Sequence, residues 1–159
     1  MIIELEKFEM ETAIAVGVKR CTESWSANRK HAAGYKPRDL FDTNIKAAAS
    51  EMAFAKMIGS YWDGSVNTFK SQPDVLPDWE VRMSMMVPAC LIIRPNDKQD
   101  RKYVCLKSLW VHGGYPKFEY LGWHDGDQSK IDKKYFHTGG NSSRPPCYFI
   151  PLDQLTKEI

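Results

Sequence analysis

The residues best suited to chemistry lie close together in the middle of the chain. Two acids, Asp74 and Glu80, are followed by a cation, Arg82, two residues after the glutamate. Over residues 79–87 apolar side chains occupy every second position, and this period of two predicts a β-strand with one face in the core. Glu80 and Arg82 then share the other face, and Asp74 arrives from the preceding segment. Two carboxylates and a cation on one patch can hold a divalent metal ion and present it to a phosphate.

A third acid, Glu51, lies on a predicted helix that runs from about Thr43 to Ile58. At 100° per residue Glu51 falls among alanine, phenylalanine and isoleucine, on the side that should pack against the core. A glutamate there loses hydration, so it should be paired, protonated or bound to a cation. A purely structural alternative is a buried ion pair with an arginine such as Arg82. The opposite, solvent-facing side is predicted to carry Lys46, Ser50 and Lys56.

The remaining elements are predicted from periodicity and turn residues. An amphipathic helix should run from about Glu9 to Lys30, and Gly17 in its apolar stripe would permit close approach of another element. The second helix has Asp42 or Thr43 as its expected N-cap and Gly59 just after its C-terminus. The predicted strands are Val66–Lys70, Trp79–Val87, Cys90–Arg94, Tyr103–Val111, Phe118–Trp123 and Cys147–Ile150.

The order of helices first and strands afterwards predicts an α+β fold. We expect one domain over residues 1–159, with the N-terminal helices packed on one face of a central mixed, mostly antiparallel sheet. The hydrophobic share of 43% is sufficient for a real core.

Basic residues are concentrated in one part of the chain, although the net charge is only +2. Between Lys19 and Arg38 there are six cations and a single acid, Glu23. Such a cluster can contact nucleic-acid phosphates, and it can equally be a solvated helix face that continues into a loop. The candidate nucleic-acid-binding residues are Lys19, Arg20, Arg29, Lys30, Lys36, Arg38 and Lys70.

Several functional classes find no support in the sequence. The four cysteines are scattered without a Cys-x-x-Cys pair, so neither a zinc ribbon nor a disulfide framework is indicated. There is no Walker-type or Gly-x-Gly-x-x-Gly element for nucleotide binding. No apolar run is long enough for a signal peptide or a membrane span, so we expect a reduced, cytoplasmic protein without a membrane partner. The oligomeric state stays open.

The acids and the cation follow a pattern that resembles the PD-(D/E)XK nuclease superfamily. The matching residues are Glu51 on a helix, Pro73-Asp74 at a strand and Glu80-Val81-Arg82 on the next strand. This resemblance covers roughly residues 44–94, and the short spacing between Asp74 and Glu80 is similar to that of the mismatch-repair nicking endonuclease branch. A longer pattern over residues 51–97 is similar to small proteins of phage genomes. The resemblance implies a restriction-endonuclease-like fold that hydrolyses DNA phosphodiester bonds.

The resemblance also implies roles for individual residues. Asp74 and Glu80, with the carbonyl of Val81, would coordinate Mg²⁺ or Mn²⁺, and Glu51 would be a further ligand or an outer acceptor for a metal-bound water. Arg82 stands where the superfamily usually has lysine. An arginine can clamp a phosphate with two hydrogen bonds, but it is a poor proton acceptor. The alternative is therefore a catalytically inactive nuclease-fold module, encoded by a phage, that binds nucleic acid or a host protein.

Overall fold

The structure of the protein is a computed structural model that describes residues 1–29, 39–68, 71–111, 114–141 and 144–159. These residues form two α-helices and seven β-strands, arranged as helices on one face of a four-stranded sheet and a three-stranded sheet on its other face. The α+β class, with both helices on one face of a mixed sheet, is confirmed. None of the described helices is long and apolar enough to cross a membrane.

The four-stranded sheet, called the main sheet below, has the strand order β1-β5-β4-β2. β2 and β4 are parallel, and the other neighbouring strands of this sheet are antiparallel. The small sheet has the order β3-β7-β6 and is antiparallel throughout. The strands are β1 Ile2–Glu4, β2 Trp79–Ser84, β3 Cys90–Ile93, β4 Lys102–Ser108, β5 Lys117–Asp125, β6 Phe136–His137 and β7 Cys147–Pro151.

The main sheet is covered on both faces, which the sequence did not predict. Along β4, Val104 and Leu106 belong to the core under the helices, whereas Tyr103 and Cys105 belong to the core against the small sheet. Successive side chains of a strand point to opposite faces, so one strand can supply two cores. β3 and β7 pack on the face opposite the helices, so the main sheet lies between two layers.

The two helices cross in close contact. Helix α1 spans Lys7–Ser26 and helix α2 spans Leu40–Met57. A Cβ atom on Gly17 would lie 2.5 Å from the Cα of Ile45, so the predicted role of Gly17 is confirmed. The N-cap of α2 is Asp39, whose side chain accepts a hydrogen bond from the Asp42 N–H, rather than Asp42 or Thr43.

Some local predictions fail. Ser50 is buried in α2 instead of lying on a solvent-facing side, and its hydroxyl donates to the Ala47 carbonyl. Residues 66–68 form no strand, and the rest of that predicted strand, Phe69 and Lys70, lies outside the described residues. Asp74 likewise does not lie on a strand, because only an isolated bridge between Val75 and Trp79 follows it.

Candidate functional site

The candidate site is built at the open edge of β2. Among the described strands β2 pairs with β4 alone, so its second edge has no neighbouring strand. Val75 and Trp79 exchange two backbone hydrogen bonds at this edge, of 3.1 and 3.0 Å. This short bridge brings Asp74 alongside β2, where its Oδ2 accepts a 2.8 Å hydrogen bond from the Val81 N–H. Because the N–H and C=O of a strand residue point to the same edge, the Val81 carbonyl is directed to the side on which Asp74 lies.

The two glutamates lie on opposite faces of the main sheet. Glu80 is in register with Tyr103, which packs towards the small sheet, and Val81 is in register with Val104, which packs under the helices. Glu51 belongs to α2 and therefore lies on the helix side. The charge of Asp74 nevertheless raises the pKa of both glutamates. Asp74 is thus the acid that stands close to each of the other two.

On the helix side, Glu51 is tightly paired with Arg20 of α1. The Arg20 Nη1 and Nη2 atoms donate to Glu51 Oε1 and Oε2 at 2.7 and 2.6 Å, and Trp62 Nε1 donates to Oε2 at 3.2 Å. Arg20 also binds the segment after α2, since Nε and Nη2 both donate to the Ser65 carbonyl. Burial raises the pKa of Glu51 to about 7, against the opposing effect of the Arg20 hydrogen bonds.

On the small-sheet side, Glu80 has much weaker compensation. It is only 6% exposed, and its ion pair among the described residues is with Arg82, whose Nη1 lies 3.8 Å from Glu80 Oε2. The Arg82 Nη2 atom is nearer to Asp97 Oδ1, at 3.4 Å, and the guanidinium lies over the Tyr103 ring. Burial, and next the charge of Asp74, raises the pKa of Glu80 to about 7. Within the described parts of the chain, Glu80 is therefore a buried carboxylate whose cation, Arg82, lies no nearer than 3.8 Å.

Three buried polar side-chain atoms lack a hydrogen-bond partner within the described parts of the chain. They are Asp78 Oδ1, Arg82 Nε and Arg101 Nη1. Asp78 directly precedes β2, and Arg101 directly precedes β4. The two segments are adjacent, because the Lys102 N–H donates to the Asp78 carbonyl. Buried polar groups are almost always satisfied, so each of these atoms indicates a position that a ligand or water completes.

The structure brings together some of the predicted site residues. Asp74 contacts the Val81 backbone at the edge of β2, and Glu80 pairs with Arg82 on the neighbouring positions of the same strand. Asp74 is near enough for its charge, after burial, to raise the pKa of Glu80. The predicted alternative of a buried ion pair between Glu51 and an arginine is confirmed, but the arginine is Arg20 and not Arg82. Within the described ranges, no three His, Cys, Asp or Glu side chains are grouped so that they already form a metal site.

The predicted basic cluster is divided. Arg20 differs from the expected phosphate-binding cation, because its guanidinium is half-buried against Glu51. Lys19 is exposed and lies 4.0 Å from Glu23, and Arg29 is exposed just after α1. The other members, Lys30, Lys36, Arg38 and Lys70, lie outside the described residues.

Sequence reasoning missed Asp97 and Arg101. Neither was among the candidate site residues, yet Asp97 is buried and accepts a 2.8 Å hydrogen bond from the Arg94 N–H. Arg101 is half-buried, and its charge acts to lower the pKa of Glu80. The sequence did contain a signal for Arg101. It lies directly before β4, two residues from Tyr103, so the alternation of a strand places both on the same face.

Comparison of the chain with protein-family models, with curated proteins and with solved structures finds no match. The resemblance to PD-(D/E)XK nucleases consequently depends on the quoted motif residues alone.

Proposed function

We propose that the protein is a metal-dependent nuclease that hydrolyses DNA phosphodiester bonds at the edge of β2. The observation that carries this proposal is the hydrogen bond from the Val81 N–H to Asp74, which brings Asp74, Glu80 and the Val81 carbonyl to one edge of the main sheet. These are the three groups that the motif would use for Mg²⁺ or Mn²⁺.

The donor set fits a hard divalent cation. Such ions prefer carboxylate and carbonyl oxygens. Glu80 is buried and its nearest cation among the described residues is 3.8 Å away, so a bound cation would offset the unfavourable burial of its negative charge. Glu51 fits less well as a direct ligand, because both of its oxygens accept hydrogen bonds from Arg20. We therefore assign the metal to Asp74, Glu80 and Val81, and give Glu51 a supporting electrostatic role.

The residues around this edge have separate tasks in the proposed reaction. When bound, the cation supplies positive charge that stabilises the phosphorane-like transition state and makes water more acidic. Arg82 provides a fixed positive charge for the phosphate, but as an arginine it does not take the proton from the attacking water. The Val81 N–H fixes the orientation of Asp74. The small sheet covers the face that carries Glu80 and limits its contact with water, which strengthens these electrostatic interactions.

A plasmid nicking assay with Mg²⁺ or Mn²⁺ tests the proposal. Wild-type protein should convert supercoiled DNA to the open-circular form, and chelation of the metal should stop the reaction. Asp74→Asn and Glu80→Gln should each lower the rate about a hundredfold or more, as expected for loss of a preorganised electrostatic group. Asp100→Asn is the matched control, because Asp100 is exposed and lies outside the site. Equal rates in all four proteins would remove the nuclease proposal.

A second candidate function is a non-catalytic module that binds nucleic acid or a host protein. The specific observation in its favour is that Arg82, in the position of the motif lysine, is held by Asp97 and Tyr103 and offers no proton acceptor. This candidate predicts DNA binding that needs no divalent cation and weakens steeply with salt, without cleavage. Fluorescence anisotropy over a salt series, with and without Mg²⁺, separates the two functions.

A further inference from the structure

We propose that Arg101 is a phosphate-binding residue of this site, contacting a non-bridging phosphate oxygen beside Asp74 and Glu80. The inference rests on the proposed function, which it extends by a residue that the motif does not contain. Its basis is the buried and unpartnered Nη1 atom of Arg101 at the start of β4.

Arg101 differs clearly from the other arginines of the site. Arg20 uses all three of its nitrogen atoms in hydrogen bonds to Glu51 and Ser65. Arg82 has ion pairs with Glu80 and Asp97, at 3.8 and 3.4 Å. Arg101, by contrast, has no ion pair with another described residue, although it is half-buried and one of its donors is excluded from solvent. A partly buried cation without an anion is unfavourable unless a ligand provides the anion.

The unmet requirements of Glu80 and Arg101 are complementary. Among the residues that the structure describes, Glu80 has no cation nearer than 3.8 Å, and Arg101 has no ion pair with an acid. The two are near enough for the charge of Arg101 to act on the Glu80 carboxyl, yet no ion pair forms between them. A divalent cation on Asp74 and Glu80, together with a phosphate that contacts both the cation and Arg101, satisfies both residues at once. The orphaned Nε of Arg82 provides a second donor for the same phosphate.

Two calorimetric titrations test this assignment without relying on cleavage. In the first, Mg²⁺ alone is added to the protein, and in the second, inorganic phosphate is added to the Mg²⁺-loaded protein. Arg101→Gln should weaken phosphate binding about tenfold or more, the loss expected for a charge-assisted hydrogen bond. Its affinity for Mg²⁺ should be unchanged or higher, because a nearby positive charge has been removed. Arg101→Lys should lie between the wild type and Arg101→Gln.

Arg94→Gln is the matched control, because Arg94 is an exposed arginine at the end of β3. It should retain wild-type phosphate affinity, and thermal unfolding should show that all variants are folded. Equal phosphate affinity in the wild type, Arg101→Gln and Arg94→Gln would overturn this inference but not the nuclease proposal. Mg²⁺ binding without any phosphate binding would have the same consequence. Loss of thermal stability in Arg101→Gln with unchanged phosphate affinity would also overturn it. Arg101 would then have a structural role, with a water molecule as the partner of its Nη1 atom. If the wild type binds no Mg²⁺, the nuclease proposal itself fails, and this inference fails with it.

Discussion

Arg20 and Glu51 join the two helices through a bidentate ion pair, with nitrogen–oxygen distances of 2.7 and 2.6 Å. Both side chains are largely buried, at 12% and 7% exposed. Glu80 and Arg82, on the opposite face of the main sheet, are a looser pair at 3.8 Å. Asp74 stands between these two pairs and its charge acts on both glutamates. The tight pair stabilises the fold, and the loose pair leaves Glu80 available for a cation.

Breaking the tight pair from one side should strongly destabilise the protein. Arg20→Gln leaves Glu51 buried without a cation, and we expect the free energy of unfolding to fall by about 3–5 kcal/mol at about pH 9, above the raised pKa of Glu51. The loss should be smaller at about pH 5, where Glu51 can take up a proton. Urea unfolding at both pH values measures this. Arg29→Gln, at an exposed position after α1, is the control, and an equal effect of the two substitutions would contradict the assigned pair.

The stability of the metal-free protein should decrease as the pH rises. The pKa of Glu80 in the folded state is raised to about 7, so the folded state retains a proton that the unfolded chain has already released. Stability from this group is therefore present below about pH 4.5 and is lost as the pH rises to about 7, by on the order of 3 kcal/mol. Glu80→Gln should reduce that decline without abolishing it, because the pKa of Glu51 is also raised to about 7, and urea unfolding across this range would detect the difference. Glu11→Gln, at an exposed position, should show the same decline in stability as the wild type. If Glu80→Gln also shows the wild-type decline, Glu80 is not its cause.

Divalent cations should stabilise the protein through the same carboxylates. A cation that binds only the folded state at a hundred times its dissociation constant adds about 2.7 kcal/mol. We therefore expect Mg²⁺ or Mn²⁺ to raise the melting temperature of the wild type at about pH 8, and much less at about pH 5, where Glu80 is protonated. Asp74→Asn and Glu80→Gln should lose the shift, whereas Asp100→Asn should retain it. Differential scanning calorimetry with and without chelator provides the comparison.

The close crossing of the helices should depend on Gly17. At an exposed helix position, glycine to alanine stabilises by about 1 kcal/mol. Gly17→Ala should instead destabilise by about 1–3 kcal/mol, because the new methyl group would lie 2.5 Å from the Cα of Ile45. Ala15→Gly, at an exposed position of the same helix, is the control for helix propensity and should cost about 1 kcal/mol. Chemical denaturation measures the free energy of unfolding of both variants. A Gly17→Ala variant more stable than the wild type would show that the helices separate easily.

Local patterns were sufficient for much of the fold. Apolar spacing predicted both helices, and the period of two predicted β2 from Trp79. The burial of Glu51 also followed from its position on the helix, and it is confirmed at 6% exposed. These features depend on a few neighbouring residues, so the sequence contains them directly.

The partners of the charged residues were decided by tertiary structure. Nothing in the spacing indicated that Glu51 would meet Arg20, since that contact requires α1 to cross α2 at Gly17. The burial of Asp97 and the partial burial of Arg101 likewise depend on tertiary structure. Both follow from the packing of the small sheet on the main sheet, which no local pattern predicted.

The sequence by itself therefore determined the two helices, most of the strands and their order, and the inward position of Glu51. Only the tertiary structure decided that Asp74 lies at an open strand edge between Glu51 and Glu80, and that these two glutamates occupy opposite faces of one sheet. The physical reason is that periodicity arises from adjacent backbone geometry, whereas ion pairing is set by which faces of distant elements come within a few ångströms of each other.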